Sequence, residues 1–149
     1  MRVSPALALA VALLSTGISA AALVRTLDRD PDYTDEQRSA ATARICTAFD
    51  TVRAGVATNT NVTAPQDISG SLAAAANARL ALTDGGLYLL ARLDPATPAD
   101  LADTVRTFAD TLMDIGAAAT AGAPNTDPAQ AKRLEAAEAA SAAVSNRCR

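Results

Sequence analysis

The chain has 149 residues, with 13 Lys and Arg against 16 Asp and Glu, no His, no Trp, two Cys and 38 Ala. That length suits one domain, and the net charge of −3 excludes the basic balance of a nucleic-acid-binding protein. With no His and only two separated cysteines, the usual clustered metal sites have nothing to stand on.

Residues 1–2 read as a short cytoplasmic end. Val3 to Val24 is a run of 22 residues without a charge, followed by Arg25, Asp28, Arg29 and Asp30. At about 1.5 Å per residue the run reaches roughly 33 Å as a helix, enough for a bilayer core of roughly 30 Å. Its length favours an uncleaved single-pass anchor. The small residues Ser19-Ala20-Ala21-Ala22 keep a cleaved secretory signal, and hence a secreted protein, as the alternative. Residues 25–33 follow as a linker, and 34–149 as the folded domain.

That domain reads as all-helical. Thr34-Asp35-Glu36-Gln37 fits a capping box that opens the first helix. Ser69-Gly70-Ser71 is a weaker start before Leu72. Thr97-Pro98-Ala99-Asp100 resembles a capping box with Pro98 at the first helical position, and Asp127-Pro128-Ala129-Gln130 repeats the device with an acidic cap. Turn residues separate the segments at Asn59 to Gly70, at Asp94-Pro95 and at Gly122 to Asn125.

Apolar residues keep helical spacing within these bounds. The expected seams are Ile45, Phe49, Val52 and Val56; then Leu72, Ala76, Leu80, Leu87 and Leu90, with extra leucines at Leu82, Leu89 and Leu93; then Leu101, Val105, Phe108, Leu112 and Ile115. The fourth, Leu134, Ala137, Ser141, Val144 and Cys148, is thin and dominated by small side chains. Such stripes bury well between antiparallel neighbours, and four of them joined by short loops predict an antiparallel four-helix bundle after the N-terminal transmembrane helix.

Cys46 lies beside the first seam and Cys148 on the last. An antiparallel first and fourth helix would bring them together, and an exported domain with two cysteines favours a disulfide. Level helix tops would leave the sulfurs about 13 Å apart along the axis, a gap that a partly helical ten-residue connection after Thr58 would close. A bridge puts the domain outside the cytoplasm, with the anchor oriented N-in, C-out.

Catalytic chemistry is hard to find. There is no His to act as a base for Ser or Cys, and the one lysine, Lys132, sits in an exposed first turn. Asp100/Asp103 and Asp110/Asp114 fall opposite an apolar stripe, as on a solvated helix face. No phosphate-binding loop follows Gly85-Gly86, and Asn61-Val62-Thr63 matches a glycosylation acceptor only as a three-residue pattern. The Gly pair reads as a close helix crossing or kink. Asn77, Arg79 and Tyr88 beside it make this the place where a ligand or partner contact is expected.

The order of features is itself informative. Tyr33-Thr34 and Gln37 lead into Ile45-Cys46-Thr47-Ala48-Phe49, then Thr60-Asn61, then Ala76-Asn77-Ala78-Arg79-Leu80-Ala81-Leu82. Gly85-Gly86 precedes Tyr88-Leu89-Leu90, and Cys148 closes the series. Over roughly residues 24–149 this resembles the alanine-rich, often alanine- and proline-rich, single-pass membrane proteins of mycobacteria and related actinobacteria. The resemblance implies one membrane span and an extracytoplasmic helical domain, and it carries no assigned activity or catalytic residues.

The expectation is therefore a non-catalytic, membrane-tethered module of the cell envelope, without a cofactor, that meets an envelope protein rather than nucleic acid. The alternative is a small-molecule or lipid sensor with a pocket at Gly85-Gly86, lined by Leu80, Leu87 and Tyr88.

Overall fold

In the structure, a computed structural model, residues 32–63 and 66–149 are described. The apolar run 3–24 expected to reach the membrane lies outside the described residues. Four helices make up the fold: α1 (Asp35–Thr60), α2 (Ile68–Arg92), α3 (Ala99–Thr120) and α4 (Pro128–Arg147). None of them is long and apolar enough to cross a membrane. Among the described residues there is no strand.

Local chemistry explains where the helices begin and stop. At α1 the Gln37 amide donates to Thr34 Oγ1 (3.2 Å) while the Thr34 amide donates to Gln37 Oε1 (2.9 Å), closing a full capping box. Asp127 Oδ1 accepts from the amides of Ala129 and Gln130 at 2.9 and 3.0 Å, with Pro128 in the first turn of α4. α3 ends in a Schellman turn: Gly122 adopts φ +95°, Gly122 N donates to Ala119 O, and Ala123 N donates to Ala118 O. A side chain at Gly122 would strain that turn.

Two starts differ from the sequence expectation. α2 begins at Ile68, because Asp67 Oδ1 caps the Gly70 amide at 2.7 Å; a carboxylate wins the cap position over the later serines. At α3 the cap is Pro98, with no side-chain cap bond. Thr97 instead turns inward, 6% exposed, and its Oγ1 finds no partner. The preceding turn is held by Asp94, whose Oδ1 accepts from the Ala96 amide and whose carbonyl accepts from the Thr97 amide.

Contacts between neighbours fix an antiparallel register. Val52 lies opposite Gly85, Gly86 opposite Ala109 and Met113, Thr83 opposite Gly116, and Gln130 opposite Ile115. The core is Ile45, Phe49 and Val52 of α1, Leu82 and Leu89 of α2, the whole expected stripe of α3, and Ala140 and Val144 of α4. Phe49 and Phe108 meet edge to face, 5.4 Å between centroids.

α2 is where the seam differs from the expected one. Its buried positions are Leu82, Gly86 and Leu89, whereas Leu72, Leu80 and Leu87 are 65%, 58% and 52% exposed. The glycines decide this. A Cβ on Gly86 would lie 2.6 Å from Ala109 O, and one on Gly85 2.8 Å from Val52 Cγ1, so the bare face of α2 is the one that presses on both neighbours. Helical interruption is not needed, since α2 runs unbroken through both residues.

Cys46 and Cys148 form a disulfide, with Cα atoms 5.6 Å apart across 102 residues of sequence. α1 runs on past Thr58 to Thr60, which closes part of the expected offset. Gln130 Nε2 donates to the Ile115 carbonyl at 3.1 Å, joining the first turn of α4 to the last turns of α3. Two ion pairs gather at the same end of the bundle: Arg44 with Asp94 at 2.6 Å, and Arg147 with Asp100 at 2.5 Å. Asp100, expected on a merely solvated face, thus ties the start of α3 to the end of α4. Both pairs are partly exposed, so each contributes little beside the covalent bridge.

Candidate functional site

The bundle is not closed evenly. Each helix packs on the next in sequence, but α1 and α4 touch sparingly away from the disulfide. The space between them is a cavity of about 780 Å³, within the usual range of small-molecule sites, roughly 300–1,000 Å³.

Its origin lies in side-chain size. α4 offers Leu134, Ala137, Ser141 and Ser145 to this space, and α2 offers Ala75, Ala78 and Leu82. Alanine and serine then fall short of filling it, as a close-packed interior would require. Phe108, Leu112 and Ile115 form the wall from α3, and Val56 and Ala57 the wall from α1. One end lies next to the disulfide, with Ser145 a turn below Cys148; the other reaches Thr60 and the Gly122 to Asn125 loop.

Three charged side chains line this mainly apolar space: Arg53, Arg79 and Glu138. Among the described residues neither arginine pairs with a carboxylate. The Arg53 guanidinium lies 6.0 Å from the Phe49 ring centroid. Arg79 Nε is shielded from solvent and has no hydrogen-bond partner. Gln130, fully buried, spends its amide on the Ile115 carbonyl and accepts from Arg133 at 3.4 Å.

The residues singled out from sequence divide sharply. Arg79 lines the cavity. Gly85 and Gly86 are packed against α1 and α3, leaving no room beside them for a ligand. Asn77 is exposed, and Tyr88 is 39% exposed with the Arg92 guanidinium 4.8 Å from its ring centroid. The pocket expected between Leu80, Leu87 and Tyr88 is therefore corrected: those side chains face outward, because the glycine face turned in. Cys46 and Cys148 are joined and not available as nucleophiles or ligands. Among the described residues no group of three or more His, Cys, Asp or Glu could hold a metal ion.

Sequence reasoning passed over Arg53, Gln130 and the small residues of α4 as a site. A signal existed in the thin fourth seam, where Ala and Ser replace the Leu and Val of α3. No known protein family, curated protein or solved structure matches this chain, so the reading of the cavity rests on its own chemistry.

Proposed function

We propose that this protein is a non-catalytic module of the cell envelope, tethered to the membrane by residues 3–24 with the helical domain outside. Its central cavity receives a small molecule with an apolar body. The observation that carries the binding role is the cavity itself: about 780 Å³, walled chiefly by Leu, Ile, Val, Phe and Ala, between two helices that meet only sparingly. What supports the location is the uncharged run of 22 residues together with a disulfide across the domain, a bond that persists in oxidising compartments. The resemblance to alanine-rich single-pass proteins of mycobacteria and related actinobacteria agrees with this reading; the alternative is secretion after signal cleavage.

The test uses the full chain purified from its membranes, followed by organic extraction and mass spectrometry. Wild type is expected to carry, or take up, an apolar small molecule in near-stoichiometric amount. Ala137→Phe, which projects a ring into the cavity, is expected to lose it while keeping helicity and the disulfide. A wild-type protein that carries nothing and binds no polarity-sensitive dye would refute the binding role. Location is tested separately by labelling thiols in intact cells: free thiols that react only after lysis would place the domain in the cytoplasm.

A second reading, an accessory that docks on an envelope protein, is favoured by the outward row Ile68, Leu72, Leu80 and Leu87 of α2. It predicts that full-length bait captures one envelope protein from native membranes. Paired Leu80→Glu and Leu87→Glu changes should abolish that capture without altering cavity binding.

A further inference from the structure

Arg79 is out of place in the wall of an apolar cavity. A guanidinium presents five donors and stays charged at any physiological pH. Its Nε is cut off from water and bonded to nothing, an arrangement that costs free energy unless something else accepts from it. A second guanidinium, Arg53, lines the same space from α1, with no carboxylate partner among the described residues. Against these two positive charges the wall holds one carboxylate, Glu138, on the exposed side of α4. Arg53 is exposed as Glu138 is, so the partly buried charge in this apolar wall is that of Arg79.

The cavity's lining is also extended along one helix. The lining on α4 runs from Gln130 to Ser145, which at 1.5 Å per residue is roughly 22 Å of groove. Small side chains pave much of that face of α4. A ligand that satisfies both features has one extended apolar chain and one anionic head.

Building on the binding role proposed above, we infer that the occupant is a single-chain anionic amphiphile. Its carboxylate or phosphate head is held by Arg79 and Arg53, and its hydrocarbon chain lies along the Ala- and Ser-paved face of α4. The head accepts from the part of the Arg79 guanidinium that lines the cavity. The chain covers Leu134, Phe108 and Leu112.

The test is displacement of a diazirine-bearing fatty acid from the full chain in lipid nanodiscs, read as labelled peptides by mass spectrometry. Labelling is expected on peptides of α3 and α4 that line the cavity. Dodecanoate should compete at least tenfold better than dodecanol, the scale of one charge-assisted hydrogen bond. Between decanoate, dodecanoate and tetradecanoate each added methylene should improve competition by about fourfold. A lysophosphatidate arm distinguishes the two sources of such a head. Stronger competition by dodecanoate indicates a free fatty acid and stronger competition by the lysolipid indicates a lipid-derived one, and either result supports the proposal.

Arg79→Gln should erase the preference for acid over alcohol, Arg79→Lys should retain much of it, and Glu138→Gln should strengthen acid binding severalfold. Equal competition by dodecanoate and dodecanol would overturn the anionic head while leaving the apolar binding role standing. Absence of labelling on cavity peptides would overturn both.

Discussion

Replacing Cys46 with Ser removes the covalent link between the first and last helices. Its effect can be worked from the fold. The bridge spans 102 residues of sequence, and in the chain-entropy description a loop of about 100 residues is worth up to about 4.7 kcal/mol. Little else holds α1 to α4: their noncovalent contact is sparse, and the ion pairs at that end join α1 to the α2–α3 turn and α3 to α4, not α1 to α4. For a helical unit running from Thr34 to Arg149, an unfolding entropy of about 2.1 cal/mol/K per residue converts this loss to a fall in Tm of at most about 19 °C. The assay is thermal unfolding by circular dichroism of the full chain, comparing wild type, wild type with reductant, Cys46→Ser, Cys148→Ser and the double variant. All four perturbed samples should melt together, at least about 10 °C below the oxidised protein. Melts that coincide within about 2 °C, together with two titratable thiols in unreduced wild type, would refute the reasoning.

Gly86→Ala should destabilise by about 1–3 kcal/mol in a urea titration, because the new methyl meets the Ala109 carbonyl at 2.6 Å. Gly55→Ala, where nothing lies within 4 Å, should instead stabilise by about 0.5–1 kcal/mol through helix propensity. Thr97→Val keeps the shape of a buried side chain and removes a hydroxyl without a partner; it should raise stability by about 1 kcal/mol in the same titration. The Ala96 amide and the Arg44 guanidinium hold the Asp94 carboxyl below its ordinary value. A depressed carboxylate contributes stability above its unfolded pKa and loses it as pH falls through the folded one. Wild type should therefore lose stability below about pH 4 more steeply than Asp94→Asn in acid melts.

Much of the architecture was legible before any coordinates. The helix count, the capping box at Thr34, the acidic cap at Asp127, the stop at Gly122 and the complete α3 stripe are local matters. They depend on which side chain can reach which amide, on a positive φ that favours glycine, and on 3.6-residue periodicity in a helix with one apolar face. The cysteine pairing was legible too, since only two thiols exist and both lay on or beside their seams.

Tertiary packing decided the rest. α2 is apolar on several sides, so periodicity did not single out the inward face. The absence of side chains at Gly85 and Gly86 did so, by letting α2 approach Val52 and Ala109 and turning its leucines outward. Thr97 lost its cap role because the α2–α3 turn carried it into the interior. Pattern reading showed the thin fourth seam but not the cavity beside it, for a related reason: empty space belongs to no residue. It arises where the Ala and Ser side chains of α2 and α4 leave space between the helices unfilled, and Arg79 acquires its meaning only from the wall it stands in. Sequence determines which faces are apolar and where helices turn; how far apart those faces come to rest is a property of side chains meeting across the whole bundle.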